Sequence, residues 1–100
     1  MSSHELPSSE ALATVLGSQK WRVLAALLET DRLDADPILR DDESLDSEAY
    51  VSLVYELHHV HLPELAAAGF VRFDRQADKV TRGPLFEAIR PYLYGVEERR

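Results

Sequence analysis

A change of hydrophobic period at Gly69 constrains the fold of this chain more than any other feature. Between residues 47 and 68 the apolar residues recur with the spacing of a helix, and this run is the longest helical pattern in the sequence. After the glycine, Val71 and Phe73 alternate with charged residues, and Val80 has a polar residue on either side. The sequence therefore predicts a long helix followed by a β-hairpin that pairs residues 70–74 with residues 79–82.

Shorter helices are predicted before this long one. Ser8 or Ser9 is a suitable cap for a helix that ends at Gly17. Ser18 begins a second helix, in which one stripe is expected in the core and the remaining positions stay polar. The expected core stripe is Trp21, Leu24, Leu27 and Leu28, and the polar positions are Lys20, Arg22 and Glu29. The Asp36-Pro37 pair predicts one or two further helical turns at residues 36–40.

Two prolines predict irregularities in the helices of the second half. Pro63 lies inside the long pattern, where it should cause a kink or a new turn near residues 59–62. Gly83-Pro84 ends the hairpin, and the apolar residues from Leu85 to Leu93 predict a closing helix that Pro91 breaks or restarts.

The size and composition favour one small domain. The chain has 100 residues, of which 45% are apolar, and it has no cysteine. We expect a single domain over residues 8–95, mainly α with a small β-hairpin (an α+β fold), with flexible tails at 1–7 and 96–100. Disulfides and zinc sites built on cysteine are excluded. A cytoplasmic protein is expected, because no apolar run reaches the length of a membrane span and no signal peptide is evident.

The charge is unevenly distributed along the chain. Eighteen acidic and eleven basic residues give a net charge of −7, and residues 30–48 contain eight of the acids but only two arginines. No lysine or arginine occurs from residue 41 to residue 71. We interpret the acidic segment 30–48 as a solvated connector that could also bind a protein partner. Calcium binding does not fit, since the acids lack the spacing and the glycine of an EF-hand loop.

Residues 61–71, with the sequence HLPELAAAGFV, combine a helix end, a glycine and the start of a strand. This segment resembles the end of the recognition helix and the entry into the wing in ArsR-like and MarR-like regulators. There His-Leu is followed by a leucine three positions later, a small residue, a glycine and two apolar residues. Residues 55–74, with SQKWRVL at 18–24, are similar to a poorly characterised family of small winged-helix domains frequent in halophilic archaea. The resemblance covers residues 10–91.

The resemblance implies a winged helix-turn-helix fold and a DNA-binding transcriptional regulator that works as a homodimer on double-stranded DNA. The recognition helix would span residues 47–68 and the wing residues 70–82. Residues 10–16 and 85–94 would be available for dimer contacts. The exposed side chains expected on the recognition helix are Ser52, Tyr55 and His59, and the basic side chains of the wing are Arg72, Arg75, Lys79 and Arg82.

A second function follows from the charge of the recognition helix. Its exposed strip has no cation, and Glu48 and Glu56 would repel phosphates. The alternative is therefore a winged-helix protein–protein interaction module that does not bind DNA.

Metal binding and catalysis have weaker support in the sequence. His58, His61 and Glu64 are spaced three apart on a helix, as in some metal sites, but the position of His61 in the motif favours a half-buried packing role. No nucleophile elbow, carboxylate pair or phosphate-binding glycine loop is present. We expect no enzyme activity, no metal and no cofactor.

Overall fold

The computed structural model describes the chain from Ser18 to Glu98, with side chains to Leu93. The predicted helix at residues 8–17 and the predicted tail at residues 1–7 lie outside the described residues. The described elements, in chain order, are α1 (Gln19–Glu29), β1 (Arg32–Asp34), α2 (Ser47–Glu56), a π-helical turn (Leu57–His61), α3 (Leu62–Ala67), β2 (Val71–Asp74), β3 (Lys79–Arg82) and α4 (Phe86–Glu98). They form a small α+β domain.

Helix α1 faces the core with a different stripe from the one predicted. Leu24 and Leu27 are buried as expected, but Trp21 is 48% exposed and Arg22 is buried. Arg22 was predicted among the polar positions of the helix, outside the core stripe. It is buried because Glu43, from the acidic segment, forms an ion pair with its guanidinium and so provides a counter-charge.

The long helical pattern is formed by α2, the π turn and α3. Asp46 caps its start, since its Oδ1 accepts a hydrogen bond from the Ala49 amide at 2.8 Å. The predicted irregularity is confirmed as the π turn, where the Leu62 amide donates to the Leu57 carbonyl. Pro63 explains the wider turn, because proline has no amide hydrogen and its ring would clash with the preceding turn of a regular helix.

The helix ends at a Schellman motif centred on Gly69. The Gly69 backbone has φ +86°, and the Phe70 amide donates to the Leu65 carbonyl at 3.0 Å. The Gly69 amide also donates to the Ala66 carbonyl at 3.0 Å, which completes the motif. The chain then turns directly into β2, as predicted, and β2 and β3 pair as an antiparallel hairpin.

The hairpin belongs to a sheet of three strands in the order β1-β3-β2. Strand β1 was not predicted; it pairs antiparallel with β3 and places Leu33 opposite Val80. Val80 also lies opposite Phe73, so these three apolar residues form one row on the inner face, towards the helices. Polar residues, most of them charged, occupy the outer face.

The predicted helical turns at residues 36–40 are wrong. Those residues form a bend and an irregular segment without a helix, because the Gln19 side chain binds both backbone groups of Ile38. The Gln19 Nε2 donates to the Ile38 carbonyl and the Ile38 amide donates to the Gln19 Oε1, each at 2.9 Å. Part of the acidic segment is therefore anchored to α1, in contrast to the solvated connector that was predicted.

Helix α4 runs through Pro91 without a break and reaches Glu98, beyond the predicted end of the domain at residue 95. The predicted break is wrong. Proline has no amide hydrogen, so Pro91 leaves one carbonyl group of the preceding turn without a hydrogen bond. Because Pro91 is exposed, this carbonyl can bind water instead. Phe86 and Leu93 anchor α4 in the core, with 1% and 0% exposure. None of the helices described from Ser18 to Glu98 is long and apolar enough to cross a membrane.

Candidate nucleic-acid interface

The three residues predicted on the recognition helix lie on one exposed strip. Ser52 and His59 are exposed, and Tyr55 is 61% exposed. Tyr55 and His59 are one turn apart, and their ring centroids are 4.2 Å from each other. The strip therefore presents a hydroxyl, a phenol and an imidazole to solvent, all of which can donate or accept hydrogen bonds.

The four basic side chains predicted on the wing fall into two groups. Lys79 forms an ion pair with Asp34 of β1, and its hydrogen bond holds the pKa of the Asp34 carboxyl below its usual value. The half-buried Arg82 donates from Nε to the Leu27 carbonyl at 2.8 Å and lies over the ring of Phe86. Both cations therefore already make contacts within the domain.

Arg72 and Arg75 are the more accessible pair. Arg75 is exposed in the turn of the hairpin, with its guanidinium carbon 5.3 Å from the centroid of Phe73. Arg72 is exposed on the outer face of the sheet, where Nη1 donates to the Arg82 carbonyl at 3.3 Å. The described residues place no carboxylate in an ion pair with either side chain.

His58 joins the helix to the hairpin. Its Nε2 lies 2.7 Å from the Ala35 carbonyl, and its ring centroid lies 5.5 Å from that of Phe73. The guanidinium of Arg75 in turn lies over the ring of Phe73. The helix segment that bears Tyr55 and His59 is thus held against the turn that bears Arg75.

In the part of the chain that is described, the histidines and carboxylates form no group of three or more side chains that could hold a metal ion. His61 is half-buried, in the packing role favoured by the sequence. Glu64 forms an ion pair with Lys20 of α1, and the hydrogen bond from Lys20 lowers the pKa of the Glu64 carboxyl.

Arg32 was not predicted as a site residue, because strand β1 was not predicted. In the three-stranded sheet Arg32 lies opposite Thr81, and Thr81 lies opposite Arg72. These three side chains form one row across the outer face. The only sequence signal for this arrangement is the short alternation of Arg32, Leu33 and Asp34.

Fold and surface together define a small α+β domain with a three-stranded antiparallel sheet, an exposed polar helix strip and arginines on the sheet. Residues 14–81 match a family model described as a domain of unknown function, DUF7344, and the chain belongs to this family. No curated protein and no solved structure matches the chain.

Proposed function

We propose that this protein is a DNA-binding transcriptional regulator of the winged helix-turn-helix class. The order of the elements supports this class, since a long helix ends in a glycine and leads directly into a hairpin. One difference from a helix-turn-helix is evident, because the described residues between β1 and α2 contain no helix. The long helix would therefore bind DNA without a preceding short helix over the backbone.

One observation carries the proposal. The contacts from His58 to Phe73 and from Phe73 to Arg75 hold the exposed helix strip next to an exposed arginine. Base edges in the major groove can be read by the side chains of Ser52, Tyr55 and His59. Arg75 is suited to the adjacent phosphates, since phosphate contacts orient a protein on the duplex while base contacts specify the sequence.

The proposal includes a homodimer formed through α4. Leu85 is 52% exposed and Tyr92 is 71% exposed, and both lie at or on this helix. A symmetric contact between two copies of α4 would cover them. Two copies would also present two helix strips to successive half-sites on DNA.

A second candidate is a protein-interaction module, and a specific observation favours it. Val51 is 66% exposed beside Tyr55, so α2 presents an apolar and aromatic surface. Glu48 and Glu56 flank that surface, and the helix carries no lysine or arginine. A partner with an apolar centre and a basic rim would complement it. The exposed acids of segment 30–48 would also attract a basic partner.

The proposal predicts that duplex DNA binds at low salt and that two single substitutions weaken it. Arg75→Ala should weaken binding about threefold to tenfold by removing a phosphate contact, and Tyr55→Ala should weaken it by a similar factor. The measurement is the anisotropy of a fluorescein-labelled duplex of mixed sequence, titrated with each protein at several salt concentrations.

Arg40→Ala is the matched control, because Arg40 is an exposed arginine in the loop before α2 and its loss changes the net charge equally. Its affinity should equal that of the unmodified protein. If the unmodified protein does not bind DNA even at low salt, the regulator proposal is wrong and the interaction module is favoured.

A further inference from the structure

The outer face of the sheet carries two rows of polar side chains. Arg32, Thr81 and Arg72 form the first row, and Asp34, Lys79 and Asp74 form the second. Neighbouring strands are about 4.8 Å apart, so the Cα atoms of the two arginines of the first row are about 10 Å apart, with a threonine between them.

The acids of the second row already have partners. The Asp34 carboxylate is paired with Lys79. The Asp74 Oδ1 accepts hydrogen bonds from the amides of Gln76 and Ala77 at 3.1 and 3.2 Å. These contacts reduce the attraction that either acid exerts on the arginines of the first row.

In the described part of the chain, the arginines of the first row are not paired with acids, although Arg72 Nη1 donates to the Arg82 carbonyl at 3.3 Å. Among the described residues, no carboxylate forms an ion pair with Arg32 or Arg72. Two neighbouring shallow concavities lie on this face, and both are lined by Arg32, Thr81 and Arg72. Arg82 and the exposed acid Asp31 also border one of them. The row is therefore a concave surface with two exposed guanidinium groups and a hydroxyl.

We propose that this row binds the phosphate group of a small phosphorylated ligand. Each guanidinium can donate two parallel hydrogen bonds to phosphate oxygens, and the Thr81 hydroxyl can donate a further one. The row lies on the face of the sheet opposite the helices, away from the helix strip proposed to contact bases. Apart from Arg72, which was also predicted on the wing, the site lies outside the proposed DNA interface, and its phosphate binding does not depend on DNA binding.

The test is a titration of the isotope-labelled protein with inorganic phosphate, followed by NMR of backbone amides and arginine side chains. We expect saturable shifts at the first row, with a dissociation constant in the millimolar range for so exposed a site. Sodium chloride at matched ionic strength serves as the control and should not reproduce them.

Substitutions within the row sharpen the test. Arg32→Gln and Arg72→Gln should each weaken phosphate binding about tenfold, and Asp31→Asn should strengthen it by removing a repulsive charge. Arg40→Gln removes an exposed arginine outside both the row and the proposed DNA interface, so it should leave phosphate binding unchanged.

The outcomes separate this inference from the proposed function. Phosphate shifts at the row, lost in the two glutamine variants, support the inference even if the protein binds no DNA. An absence of such shifts overturns it. If the row shows no saturable phosphate shifts and the double variant Arg32→Gln/Arg72→Gln loses affinity for duplex DNA, the row binds the DNA backbone and the inference is overturned.

Discussion

Replacing Gly83 by alanine is expected to lower the free energy of unfolding by about 3 kcal/mol or more. A Cβ at this position would lie 2.5 Å from the Gly69 carbonyl oxygen and 2.7 Å from the Val71 nitrogen. Both are backbone atoms at the junction of the helix end and the hairpin, where they cannot move without breaking contacts. The Gly83 amide donates to the Phe70 carbonyl there at 2.9 Å. Urea denaturation of the variant and the unmodified protein measures the difference.

Gly69→Ala is the matched control for this prediction. Gly69 has a positive φ, but the atom nearest to an added Cβ is Leu85 Cδ1 at 2.9 Å, at the end of a flexible side chain. The expected cost is therefore about 1–2 kcal/mol, mainly from backbone strain. If both variants lost the same free energy of unfolding, the close approach of the backbone at Gly83 to the backbone at Gly69 and Val71 would not be the source of the effect.

Replacing Glu43 by glutamine is expected to cost about 2–3 kcal/mol in the free energy of unfolding. The Glu43 carboxylate receives two hydrogen bonds from the Arg22 guanidinium, at 2.6 and 2.7 Å. The Arg22 side chain is only 7% exposed, so the substitution leaves a buried cation without a counter-charge. Glu87→Gln is the control. Glu87 also forms an ion pair with an arginine, Arg90, but its side chain is 71% exposed. This exposed ion pair should contribute less than about 0.5 kcal/mol to the free energy of unfolding.

The same pair predicts the response to acid. The hydrogen bonds from Arg22 lower the pKa of Glu43 from 4.5 to about 2. Because the folded pKa is the lower one, this stabilisation is complete above pH 4.5 and is lost as the pH falls towards 2. The difference in stability between Glu43→Gln and the unmodified protein should therefore shrink over that interval. A difference that stays constant from neutral pH to pH 2 would contradict the assignment.

The long helix and the hairpin could be predicted because local patterns determine them. Helical spacing of apolar residues, a glycine at the helix end and alternation after it are all properties of neighbouring residues. Ser52, Tyr55 and His59 were placed on the exposed side of the helix for the same reason, and they are exposed in the structure.

Strand β1 and the anchoring of the acidic segment could not be predicted, because both depend on contacts between distant residues. Leu33 is the single apolar residue of a three-residue strand, and its partner Val80 lies 47 positions away in the chain. The burial of Arg22 likewise depends on Glu43, which is 21 positions away. Arg32 was missed as a site residue because only the pairing of β1 brings it into line with Arg72.

The most direct test of the proposed function is to map the DNA-contacting surface by NMR. Duplex DNA added to the labelled protein at low salt should shift the resonances of residues 51–59 and of the hairpin turn at 75–78 most strongly. Trp21, which is exposed on α1 outside the proposed interface, should change little. Shifts confined to other surfaces, or no shifts at all, would contradict the account.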